Sequence, residues 1–261
     1  MRRQVFLWLP VLLLMSSSTA FAVDKRPRQG NQEASLAPPF DATDRYETRT
    51  VEGWKVMVNH RLRDGEPALH AEALKLMEHQ LYDVARRAPV SAVAKLRKVP
   101  IWLELNDPHH RCAVYHPDVQ WLRENGMNPD KARCVEIANA RTFLQWTKNQ
   151  PMMLLHELAH AYHDQFLEGG HGNADVRRAY ENARQSKIYE NVLRGSSKTE
   201  RHYAMNNPME YFAEASEAYF GTNDYFPFVA AELRIHDQRM YDLMSKLWSA
   251  QERTASRSIN D

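Results

Sequence analysis

Cysteine is scarce in this chain: Cys112 and Cys134 are the two among 261 residues, too few for a fold built on disulfides. Glycine is scarce as well, with nine residues and no period, which excludes a collagen-like or low-complexity chain. Neither charge is in surplus, since 34 Lys and Arg stand against 33 Asp and Glu. A general nucleic-acid binder carries a basic excess, so that class is excluded. No apolar run is long enough to span a bilayer, and the strongest, 5–15, contains Pro10. What is present is ordinary globular usage, 43% hydrophobic and 26% charged residues, enough apolar material for a core.

The 5–15 run has another reading. Arg2 and Arg3 precede it and Ala20-Phe21-Ala22 follows, the layout of a secretory signal over 1–22. The expectation is an exported protein, secreted or periplasmic, with no stable membrane insertion after cleavage. In an oxidising compartment Cys112 and Cys134 are then expected to bridge. Residues 23–45 are polar and Pro-rich and read as a flexible linker, and 251–261 as a flexible tail. One domain is expected over 46–250.

Within it, β-prone runs around Glu52-Gly53 predict a hairpin over 48–62. Leu69, Ala73, Leu74, Met77, Leu81 and Val84 recur with helical spacing and predict a helix over 67–87. Short strands are expected at 99–105 and 135–140, with a loop-rich stretch between the cysteines. The second half reads as helices over 151–167, 173–193, 208–220 and 227–248. Strands first and helices later give an α+β class, a small N-terminal mixed sheet followed by a mainly helical half.

The chemistry concentrates in His156-Glu157-Leu158-Ala159-His160. On a helix the i,i+4 spacing puts both imidazoles on one face, where they can share one Zn2+. Glu157 lies beside that face and can take a proton from a water there without ligating the ion. The flanks are apolar, as a buried helix carrying a metal requires. A catalytic zinc needs a third protein ligand and one open position. Position 166 is Phe, so no histidine follows at the six-residue spacing. His163 is three residues on, and Asp224 follows a Gly-Thr pair at one residue too few. The remaining source is the 208–220 helix, where Glu210 and Glu214 sit one turn apart. Glu210 is the expected ligand, with the exchange of roles between Glu210 and Glu214 the alternative. Glu214 is expected to accept the spare imidazole N–H of a zinc histidine.

The His156–His160 motif, followed by Tyr203-Ala204-Met205-Asn206-Asn207-Pro208-Met209-Glu210-Tyr211-Phe212-Ala213-Glu214-Ala215, resembles the catalytic domain of gluzincin metallopeptidases of the anthrax lethal factor type. The resemblance covers roughly residues 130–220 and does not extend to receptor-binding parts, so toxin activity is not carried over. It implies a zincin-like fold, one catalytic Zn2+, and hydrolysis of a peptide or protein substrate. In that family the first Glu of the Glu-aromatic-Phe-Ala-Glu-Ala segment ligates zinc, matched by Glu210. A Tyr seven residues earlier stabilises the transition state, matched by Tyr203. His202 and His171 are weaker candidates near the site. By analogy with zincins, the 135–140 strand is expected at a sheet edge, open to an extended substrate. The alternative to a peptidase is a secreted zinc-stabilised binding or scaffold protein, its site closed by a fourth ligand such as His163.

Overall fold

The computed structural model describes residues 40–195 and 198–249. The expected signal segment 1–22, most of the 23–45 linker and the 251–261 tail lie outside the described residues. The end of that linker is structured. Thr43–Arg45 forms a 3-10 turn, and Asp41 pairs with Arg61 at 2.8 Å and accepts from Asn59 Nδ2 at 2.9 Å. Its polar residues spend their hydrogen bonds on the domain.

Strands β1 (Tyr46–Val51) and β2 (Trp54–Asn59) form the expected hairpin. Its turn places Glu52 at φ 49 and Gly53 at φ 86, the left-handed pair that a two-residue hairpin needs. A Cβ on Gly53 would stand 2.6 Å from Arg97 Nε. Asn59 closes β2 and caps helix α1 (His60–Gly65) by accepting from Arg61 N. Helix α2 (Pro67–Arg87) buries Leu69, Ala73, Met77, Leu81 and Val84, the face its spacing predicts. Helix α3 (Val90–Leu96) leads into β3 (Ile101–Leu103), parallel to β2.

The stretch between the cysteines is more ordered than expected. It holds β4 (Ala113–Tyr115) and helix α4 (Val119–Glu124), and is followed by β5 (Val135–Ile137). The sheet order is β1-β2-β3-β5-β4. The β3/β5 pair is parallel and the β4/β5 pair antiparallel. The strand expected at the edge, β5, is therefore internal, and β4 is the edge on its side of the sheet. A three-residue strand carries too little period to announce itself.

The same register separates the cysteines. Ala113 pairs with Ile137 and Tyr115 with Val135, so Cys112 and Cys134 flank opposite ends of the ladder. Both are free thiols. The Cys112 Sγ lies 3.3 Å from Met153 Sδ, and Cys134 packs with Tyr46, Met57 and Trp102 in a separate cluster. The expected disulfide is not formed.

The helical half begins with α5 (Ala140–Trp146) and α6 (Met153–Phe166). Helix α7 (Ala174–Ser186) is shorter than the predicted 173–193, because Lys187 turns left-handed at φ 56. The chain then forms a second, two-stranded sheet, β6 (Val192–Arg194) with β7 (Lys198–Glu200). A 3-10 turn, Tyr203–Asn206, precedes α8 (Pro208–Phe220). The helix predicted over 227–248 is two, α9 (Ala230–His236) and α10 (Gln238–Trp248). Asp237 interrupts them in non-helical backbone, at φ -141 and ψ 74, and its side chain accepts from Met240 N to cap α10. Helix α6 packs on α8, and Tyr162 of α6 stacks on Trp248 at 4.1 Å.

One buried ionic cluster sits at the centre of the first sheet. Lys131 Nζ lies 2.9 Å from Glu104 Oε1, 2.5 Å from Glu136 Oε1 and 3.5 Å from Asp107 Oδ2. Glu104 also accepts from Tyr46 OH at 2.6 Å and Asn59 Nδ2 at 2.7 Å. His116 Nε2 meets Glu136 Oε2 at 2.6 Å. Removing the lysine leaves two carboxylates buried without their counter-charge. Lys131→Met is expected to cost about 3–5 kcal/mol. Urea unfolding measures it, and a loss below about 1 kcal/mol would show that the cluster does not depend on this charge.

Candidate metal centre

Helix α6 carries His156 and His160 one turn apart, in the order that the motif dictates. Its first turn is anchored from outside: the buried Gln80 side chain on α2 accepts from Leu154 N at 3.1 Å. Helix α8 starts at Pro208, and the Asn207 side chain accepts from Met209 N and Glu210 N, both at 2.9 Å. This cap fixes where Glu210 emerges. Packed together, the two helices bring three ligand-type atoms to one point. His156 Nε2 is 3.1 Å from His160 Nε2 and 3.1 Å from Glu210 Oε2. His160 Nε2 is 3.3 Å from the same oxygen.

These separations fit a metal ion. Tetrahedral zinc with bonds of about 2.0–2.1 Å has ligand atoms about 3.3 Å apart. The donor set, two imidazoles and a carboxylate, is the one a catalytic zinc takes. The tautomer agrees: His156 Nδ1 lies 2.7 Å from Glu217 Oε1. An Nδ1–H donated there leaves Nε2 as the nitrogen that faces His160 and Glu210, and its lone pair is available to an ion once the ring is neutral. The surrounding charge also calls for a cation. Burial disfavours the His156 imidazolium, yet Glu210 and Glu217 outweigh it and hold the ring well above the ordinary histidine value. Burial likewise opposes the Glu210 carboxylate, and hydrogen bonds from His156 and His160 pull it well below its usual range. A positive charge is stabilised here.

The partner of the His156 N–H is not Glu214. The Glu214 Oε1 stands 3.8 Å from Nδ1, beyond hydrogen-bond reach, while Glu217 is in contact. Glu217 lies seven residues after Glu210, so 210, 214 and 217 share one helical face, and that stripe is the signal the sequence reading missed. Both acids are fully buried. Burial pushes Glu217 up to about 7 against the opposing hydrogen bond from His156. Burial and then the Glu217 charge hold Glu214 well above the carboxylate range. Glu217→Gln is expected to weaken metal affinity by about 10–100-fold, and Glu214→Gln by less. Metal-competition titration measures both, and equal losses would put the two carboxylates on the same footing.

Glu157 and Tyr203 both line the cavities that adjoin this centre. Two cavities, of about 360 and 270 Å³, share Ala113, His156, Glu157 and Tyr203 in their walls. The larger adds Trp146, Arg194 and Tyr225, and the smaller adds edge strand β4, His171 and Glu210. Tyr203 is 45% exposed. Burial and then the Glu210 charge raise its phenol above the ordinary value.

The other candidates stand apart. His163 is fully buried against Phe212, both ring nitrogens lack a hydrogen-bond partner, and burial pushes it down to about 3. Among the described residues it belongs neither to the His156, His160 and Glu210 group nor to the second group of converging ligand atoms, His156, Glu214 and Glu217. Asp224 holds Arg194 at 3.3 Å. His171 Nε2 lies 3.3 Å from the His160 carbonyl, in the wall of the smaller cavity. Cys112 lines the larger cavity, but burial and then the Glu157 charge push its thiol up to about 12, so it is no nucleophile.

No protein-family model matches the chain, and no curated protein matches it. Among solved structures it is similar to the PRO-PRO endopeptidase PPEP-2 from Paenibacillus alvei. The identity is 17% over 76% of this chain and 99% of that one, with a TM-score of 0.40. A likeness this low says nothing of what this chain does. The residues themselves carry a mixed α+β fold with a small sheet, a mainly helical remainder, and a three-ligand cluster suited to zinc at the meeting of two cavities.

Proposed function

We propose that this chain is an exported zinc-dependent metalloendopeptidase of the gluzincin kind, with His156, His160 and Glu210 as metal ligands. The observation that carries this reading is the convergence of those three ligand atoms within 3.3 Å of one another, with Glu157 in the walls of both adjoining cavities. When bound, Zn2+ polarises the scissile carbonyl and acidifies the attacking water. Glu157 accepts the water proton and can pass it to the leaving amine. Tyr203 donates to the oxyanion as the carbonyl becomes tetrahedral. Glu217 keeps the proton of His156 on Nδ1 and so keeps Nε2 for the ion.

The cavities meet at the candidate centre, so a chain can run across it in both directions, as endopeptidase action requires. Edge strand β4 takes the role first expected of β5: an extended peptide can pair with it and lie along the smaller cavity. Export rests on the 1–22 pattern alone, and among the described residues no helix is long and apolar enough to cross a membrane. Metal analysis of the purified protein, paired with cleavage of a peptide library, tests the reading. Stoichiometric zinc with cleavage supports it. Zinc without turnover supports the silent binding protein instead, for which the structure offers no fourth ligand at His163.

A further inference from the structure

His202 is buried and the chemistry above does not use it. Its Nδ1 accepts from the Ala204 N–H at 3.1 Å and caps the 3-10 turn Tyr203–Asn206. The same nitrogen lies 3.8 Å from Glu214 Oε2. Its ring stacks on Tyr225 at 4.7 Å and 22°, and meets Tyr189 edge-on at 5.1 Å and 90°. The turn is held at its other end as well, where Arg201 Nη2 and Tyr180 OH donate to the Met205 carbonyl at 2.6 and 3.0 Å. Tyr203 projects between these anchors into both cavities.

Histidine is an unusual cap, since Ser, Thr, Asp and Asn do this task more often. It caps only as the neutral ring with its proton on Nε2. Burial, then the His236 charge, pushes His202 down to about 3, so the accepting form holds across the neutral range. The ring adds what a short polar side chain lacks, a flat face on Tyr225. Tyr225 is itself fixed: its OH donates to Glu200 at 3.0 Å and its ring lies 4.8 Å from the Arg194 guanidinium. The cap therefore ties the Tyr203 turn to the wall of the larger cavity.

We propose that His202 is a positioning residue, which holds the Tyr203 phenol at the candidate metal centre by capping its turn and stacking on Tyr225. The proposal rests on the reading of Tyr203 as the oxyanion donor. The test uses the full-length, zinc-loaded protein with Tyr203→Phe, His202→Leu, His202→Asn and the Tyr203→Phe/His202→Leu pair. It reads kcat and KM on a cleaved peptide, and the ¹³C-tyrosine resonance of Tyr203, assigned from Tyr203→Phe. His202→Leu is expected to lower kcat about 10-fold with KM within about 2-fold, and to move the Tyr203 resonance. His202→Asn, which keeps an acceptor but loses the face on Tyr225, is expected to recover part of both. In the Tyr203→Phe background, His202→Leu should cost less than about 2-fold more. Multiplicative losses, or a Tyr203 resonance unmoved in His202→Leu, overturn the proposal. If no peptide is cleaved by any form, the peptidase reading falls, and the Tyr203 resonance still decides the positioning.

Discussion

Glu157→Gln is expected to lower peptide hydrolysis by about 10²–10⁴-fold while the protein keeps its zinc. Gln has nearly the same shape and cannot take a proton, so the change isolates the base from the architecture. Glu157 is buried and its neighbours on α6 are the two histidines, yet it is in neither group of converging ligand atoms. Loss of the carboxylate should therefore leave metal content and melting behaviour unchanged. The measurement is kcat/KM on a cleaved peptide beside zinc content by elemental analysis. Wild-type hydrolysis by the variant would remove Glu157 from the mechanism, and loss of zinc would make it a ligand or a ligand's support.

The second large effect concerns the metal itself. Chelation is expected to abolish hydrolysis and to lower stability. With free zinc at 1,000 times its dissociation constant, the bound ion contributes about 4 kcal/mol. For a domain of this size that is a shift of about 8–16 °C in the melting midpoint. The reason lies in the packing of α6 against α8. Without a cation, Glu210, Glu214 and Glu217 crowd two imidazoles, and protons on His156 and on the buried acids must offset their charge. Readdition of zinc should restore both activity and the midpoint. A melting curve indifferent to chelator and to zinc would mean that no ion is held between these helices.

Much of this arrangement is legible in local sequence. The i,i+4 histidines, the helix around them, the Asn207-Pro208 start of the second helix and the Glu52-Gly53 turn all depend on neighbours a few residues away. Short-range rules of helical and turn geometry reach them. The misjudged features share the opposite character. The 173–193 and 227–248 segments read as continuous helices because their apolar spacing persists through Lys187 and Asp237. What interrupts them is one left-handed residue and one side chain spent on a cap. The β4 strand is three residues long and exists because β5 offers it a ladder.

By itself, the sequence determined which groups stand together on one helix of this protein. Two imidazoles one turn apart, with a carboxylate beside them, are a local fact that no packing can undo. Tertiary structure alone decided which distant acid stands behind His156. Glu210, Glu214 and Glu217 are equivalent along their own helix, and only the contact of α8 with α6 sends the first to the ligand point and the last to the back of His156. The cysteines were separated by the same means, since the β4–β5 register set them at opposite ends of one ladder. Long-range register is set by the sum of many weak contacts across the core, and no short window of residues contains that sum.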